Sequence, residues 1–288
     1  MCRLLGVAGV GAAAEHFLTG ASNSLRELGR LNPHGAGVGG FVGGAPVVEK
    51  SALAAHLDPA FGRQPWIADS PTLVGHVRYA TVSAPAVGDS HPFVFADGAA
   101  HDFVFAQNGS IGEMHRIEDA LGPYEKFVHG RTDSERYGAL VRRFVDEADG
   151  NVEVGLKRAV EFLAKHTPMT AINMTLATKS DLYALRYWDM RPMVYAQQGA
   201  REASAGQRLL HGATPQAIEG AAATRQPATI VASEPLDTTS HWQTVQPGQL
   251  VHVRAEDLHQ TVTQLVDRPP ARLLDDAYRA GGAVAGAH

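Results

Sequence analysis

With one cysteine in 288 residues, the chain can hold no internal disulfide framework and no zinc site built on cysteine thiolates. No apolar run approaches the ~18 residues of a membrane-spanning helix, and the first residues lack a basic stretch leading into an apolar one. There is no block of five or more Lys or Arg, and a net charge of −5 argues against a broad nucleic-acid surface. The 14 histidines include no HExxH pair or other metal-ligand spacing. The glycine-rich stretch GVGGFVGG (37–44) is not followed by a helix with a phosphate-binding fingerprint, so it is no nucleotide loop. What remains is an ordinary globular composition, 44% hydrophobic and 19% charged, with ample material for a core. A soluble, cytoplasmic protein without metal or cofactor is expected.

The hydrophobic pattern runs from strands to helices and back to strands. Residues 2–10 read as a short buried strand and 13–31 as a helix that stops at NPHG (32–35). GVGGFVG and APVVEK read as paired strands, and 72–82 and 102–109 as further strands. Residues 133–148 form an amphipathic helix behind Thr132, with Glu135 three residues later as in a capping box. A second helix spans 151–166, and 173–189 has a hairpin pattern around Lys179-Ser180-Asp181. Strands follow at 227–233 and 248–254, with an irregular connection at 196–226. The order lacks regular βαβ alternation, which favours an α+β layered domain of antiparallel sheet over residues 2–254. Residues 255–288 read as an extension, a short helix at 271–280 and then a disordered tail.

Four features carry chemistry. If Met1 is removed, Cys2 holds a thiol and a free α-amine on one residue, and the amine can take the thiol proton near neutral pH. Such a nucleophile needs no separate catalytic histidine. In AQNGS (106–110), the Asn108 amide and the bare Gly109 backbone can serve as oxyanion donors, although Asn-Gly is also a common turn signal. Arg78 lies in an apolar strand and suits a carboxylate bidentately, unless it is a structural ion pair. Asp133 opens a helix, where the dipole alone favours an acid, but it could equally meet an ammonium group. A ligand with α-amino and α-carboxylate groups needs one such cation and one such anion.

Taken in order, MCRLLG, NPHGAGVG (32–39), GHVRYAT (75–81), HPF (91–93), AQNGSIG (106–112) and TDSE (132–135) resemble the class II glutamine amidotransferases, enzymes of the N-terminal-nucleophile hydrolase superfamily. NMTLAT (173–178) and ASEPLD…W…QPGQLV (232–251) resemble its stand-alone, single-domain branch, which includes the γ-glutamyl amide hydrolase of ergothioneine biosynthesis. The resemblance implies a four-layer αββα sandwich of two antiparallel sheets. It also implies Cys2 as nucleophile, Asn108 and Gly109 as oxyanion hole, Arg78 on the α-carboxylate and Asp133 on the α-amine of a glutamyl group. Thr81 would line the glutamyl pocket and His91 the neighbouring HP loop. One departure stands out: His34-Gly35-Ala36-Gly37 occupies the place of the branch's usual Asp-Gly-Trp-Gly.

The expected activity is hydrolysis of the γ-glutamyl amide bond of glutamine or a γ-glutamylated metabolite, through a γ-glutamyl thioester. No synthase domain follows within these residues, so the chain either acts alone or passes ammonia to a separate synthase. A non-catalytic binding protein retaining the fold is the rival of another class. It needs none of Cys2, Arg78, Asn108, Gly109 and Asp133.

Overall fold

The computed structural model describes residues 2–9, 11–80, 85–98, 100–188, 191–198 and 227–274. Among these, the strands are β1 (Arg3–Gly9), β2 (Ala36–Val42), β3 (Ala45–Ser51), β4 (Thr72–Val77), β5 (Phe93–Phe95), β6 (Phe103–Ile111) and β7 (Pro168–Ala177). They continue with β8 (Asp181–Leu185), β9 (Val194–Gln198), β10 (Ala228–Ala232), β11 (Gln243–Thr244), β12 (Gln249–Arg254), β13 (Gln260–Gln264) and β14 (Arg272–Leu273). One sheet runs β11-β9-β10-β1-β4-β2-β3 and the other β13-β12-β8-β7-β6-β5, every neighbour antiparallel, while β14 pairs parallel with β7.

Alternation along each strand sorts side chains into layers. On β1, Leu4 and Ala8 face the second sheet and meet Val104, Ala106, Leu182 and Val251. Leu5 and Val7 face the other way, onto helix α1 (Gly11–Glu15), its π-helical continuation (His16–Gly20) and α2 (Leu25–Leu28). The second sheet's outer face, with Phe93, Phe103, Phe105 and Leu176, is covered by α3 (His115–Leu121), α4 (Asp133–Asp146) and α5 (Val152–His166). Each fully buried Leu or Phe contributes roughly 1.5–3 kcal/mol. The layers are therefore helix, sheet, sheet, helix, as expected for an αββα sandwich. Among the described residues no helix is long and apolar enough to cross a membrane.

Several local expectations need correction. Residues 13–31 do not form one helix: the chain breaks after Gly20, and Ser24 caps a new short turn by accepting from the Glu27 N–H. Apolar periodicity carried across that break because both pieces bury their faces on the same sheet. Thr132 does cap α4, accepting from the Glu135 N–H at 3.2 Å. The Glu135 carboxylate, however, accepts from the Gly130 N–H rather than closing a capping box. Residues 194–198, assigned in part to an irregular connection, form β9, and the rest of that connection lies outside the described residues. Arg272–Leu273 is a strand where a helix was expected, and 275–288 lie outside the described residues.

Candidate active site

Cys2 precedes β1, at the end of the first sheet where β4 also finishes. It is half-buried, and its sulfur sits 3.3 Å from the donating Tyr79 N–H. Its thiol also reaches the Tyr79 carbonyl at 3.7 Å. Burial pushes the thiol above its ordinary pKa, while the Tyr79 N–H and the positive charges of Arg78 and Arg191 pull it part of the way back. Such a thiol is protonated at neutral pH and needs a base before it can attack.

Asn108 comes from β6 in the opposite sheet and crosses the gap to donate its amide to the Cys2 carbonyl at 2.9 Å. The two sheets are stitched together at Cys2 by this bond. Gly109 follows at a φ of +147°, and a Cβ there would stand 1.5 Å from the Ala171 carbonyl oxygen, so only glycine fits. The register between β6 and β7 shifts after Gly109. Ser110 donates its N–H to the Thr170 hydroxyl at 3.0 Å, and Ile111 donates its own to Asp133 at 2.7 Å.

Asp133 opens α4. Its carboxylate accepts from the N–H groups of Ile111 at 2.7 Å and Ser134 at 2.9 Å. Burial pushes its pKa up and these donors pull against the shift. Arg78 follows β4 and is 7% exposed, so its charge is felt throughout the site. Burial first, and Arg78 second, hold the His76 ring down to about 3, neutral at any physiological pH. His91 is likewise lowered by burial and by His76, whose ring it meets at 2.9 Å. The HP loop lies this close to β2 because residue 37 is glycine: a Cβ there would meet the His91 carbonyl oxygen at 2.3 Å.

Cys2, Arg78, His91, Gly109 and Asp133 line one cavity of about 300 Å³, with Tyr79, Gln107, Met114, Arg131 and Ser134. Six of the seven expected site residues are thus gathered at one place, Asn108 through its bond to Cys2. Thr81 lies outside the described residues. A larger cavity of about 600 Å³ lies between α5 and residues 265–271. Its charged walls, Lys157, Glu161, Lys165, Asp267 and Arg268, are exposed side chains, and none of the expected site residues lines it.

The sequence did not point to Tyr79, Gln107, Ser134 or Arg191. Gln107 accepts from the Ser134 hydroxyl at 2.6 Å, tying β6 to the start of α4. Its position beside Asn108 was the available signal, since alternation sends neighbours to opposite faces. Asn173 stands opposite Asn108 in the β6–β7 register and donates to the Arg191 carbonyl at 3.1 Å, fixing the segment that brings that cation near Cys2.

The fold has solved counterparts. The glutamine phosphoribosylpyrophosphate amidotransferase of B. subtilis superposes on 96% of this chain and 52% of its own, at a TM-score of 0.66 and 15% identity. A glutamine aminotransferase class-II domain protein from Silicibacter pomeroyi matches 91% of this chain and 98% of its own, at a TM-score of 0.57 and 20% identity. By sequence, a glutamine–fructose-6-phosphate aminotransferase of Streptococcus agalactiae is 30% identical over 166 residues, 57% of this chain. This chain spans only 25% of that relative's length. The layered architecture of two antiparallel sheets between helices is shared with these solved structures. Residues 1–274 match the family model of class-II glutamine amidotransferases, and the chain belongs to that family.

Proposed function

We propose that the chain, with Met1 removed, hydrolyses the γ-glutamyl amide bond of glutamine or a γ-glutamylated metabolite, with Cys2 as nucleophile. One observation carries the reading. Four separate segments deliver a thiol, a buried guanidinium, a glycine backbone and a carboxylate to a single cavity. Arg78 takes the α-carboxylate of the glutamyl group, where its planar fork matches bidentately. Asp133, kept on the cavity wall by backbone donors, takes the α-ammonium.

The α-amine of Cys2 removes the thiol proton, and the sulfur attacks the γ-carbonyl carbon. The carbonyl electron pair moves onto oxygen, which the Asn108 amide and the Gly109 N–H stabilise. The protonated amine then gives its proton to the departing nitrogen, and the carbonyl re-forms as a γ-glutamyl thioester. Water attacks the thioester under the same base, releasing glutamate and restoring the thiol. No metal enters the cycle, because the terminal amine supplies the acid–base function.

A second reading has support in the names of the curated relatives, which are glutamine-dependent aminotransferases. In it the chain is a glutaminase that hands ammonia to a separate synthase. Glutamate release is measured from glutamine and from a panel of γ-glutamyl amides, with wild type beside Cys2→Ala. Turnover of a conjugate well above glutamine contradicts the second reading, whereas preference for glutamine removes the conjugate from the first. Glutamate release that survives Cys2→Ala contradicts both.

A further inference from the structure

The ladder between β2 and β4 ends with Ala36 opposite Val77. The two segments nevertheless stay together for three more residues, and His34 is what holds them. Arg78 donates its N–H to the Gly35 carbonyl at 2.8 Å, and His34 donates its own to the Arg78 carbonyl at 3.0 Å. Ala80 then donates its N–H to the His34 ring at Nδ1, 3.0 Å away. The ring nitrogen stands where a strand carbonyl would continue the pairing. Accepting at Nδ1 requires the ring proton to be on Nε2. The Tyr79 ring packs edge-on against the imidazole with centroids 5.1 Å apart.

We propose that His34 is a positioning residue for the nucleophile, clamping both ends of Arg78–Ala80 so that the Tyr79 N–H between them stays aimed at the Cys2 sulfur. This rests on the reading of Cys2 as the nucleophile. Once the thiol ionises, the 3.3 Å contact becomes a charge-assisted bond, the kind worth about twice a neutral one. It acts at full strength only if the donor is fixed beforehand, because a free loop would have to reorganise at each turnover. Among the groups that favour the thiolate, the Tyr79 N–H is foremost, ahead of the Arg78 and Arg191 charges. An imidazole suits the place: it supplies an acceptor without adding an anion beside a sulfur that must ionise.

The test compares wild type, His34→Ala, His34→Asn and His34→Leu by the rate at which iodoacetamide alkylates Cys2, by steady-state glutamate release and by thermal unfolding. In His34→Ala, alkylation and kcat fall about tenfold while KM stays within about twofold, with the melting temperature within a few degrees of wild type. His34→Asn places an oxygen acceptor near the Nδ1 position and recovers both rates to within about threefold of wild type. His34→Leu fills the space without an acceptor and stays slow, which decides the matter should the alanine variant fail to fold. Alkylation of His34→Ala at the wild-type rate overturns the clamp, as does an asparagine variant no faster than the leucine one. Either result leaves the nucleophile assignment standing, whereas glutamate release by Cys2→Ala removes the assignment itself.

Discussion

Two polar clusters lie against opposite ends of α4, and they are finished differently. Near its last turn, Arg142 is 1% exposed and all its nitrogens are occupied. Nε donates to Asp146 at 3.0 Å, Nη2 to Asp97 at 2.9 Å, and Nη1 to the Phe95 carbonyl at 3.0 Å and Asp102 at 3.3 Å. His101 and Lys126 close the outer edge on Asp146 and Asp97. At the first turn, the Asp133 carboxylate is held by backbone N–H donors, without a cation in ion-pair contact among the described residues. His91 Nε2 and Gln107 Nε2 are buried beside the same cavity with no hydrogen-bond partner. A cluster that satisfies itself holds the fold. One left with unused bonding capacity around a cavity has polar atoms to offer a ligand.

This contrast can be broken from either end. The largest effect is expected at the proposed nucleophile: Cys2→Ala lowers glutamate release below about one-thousandth of wild type, with the urea midpoint unchanged. Arg142→Met does the reverse. It strands three carboxylates and costs about 3–5 kcal/mol in urea unfolding, while KM of the remaining folded enzyme is unaltered. Asp133→Asn separates the two roles further. Losing a charge-assisted contact to the substrate ammonium raises KM about 10–100-fold, against a stability loss under about 1.5 kcal/mol.

The smallest effect lies in the pH dependence of stability. His76 and His91 are both lowered in the folded protein, so the unfolded chain binds protons that the folded chain refuses. The stability tied to the neutral rings is fully present above about pH 6.5 and drains away as pH falls, for His76 toward about 3. Both rings act in the same direction, so each adds to the fall in stability on acidification. Urea midpoints between pH 7 and 4 should therefore fall less steeply in His76→Gln than in wild type. Parallel slopes would remove the pair as the cause.

How much of this was legible in the chain depends on how far each feature reaches. Asn108 and Gly109 could be read locally as an amide and a bare backbone N–H at the end of an apolar strand, although the same pair is a common turn signal. Asp133 and its Thr132 cap were legible in the same local way. The gathering of these residues was not. It depends on β4 and β6 lying in different sheets and on Asn108 bridging the gap to Cys2. His34 was noticed only as a departure, because its function exists in a register with Ala80, 46 residues away, that no spacing rule encodes. The single helix expected over 13–31 failed for the opposite reason: its periodicity was real, but it reported a shared buried face rather than continuous backbone.

The central claim, a terminal thiol that carries the glutamyl group, is met most directly by intact-mass spectrometry of active protein quenched in acid during turnover of glutamine. The account predicts a chain lacking Met1 that gains one γ-glutamyl group, located on the peptide beginning at Cys2 and missing from Cys2→Ala. Full activity from a chain that keeps Met1, or a glutamyl group found on any other residue, would contradict it.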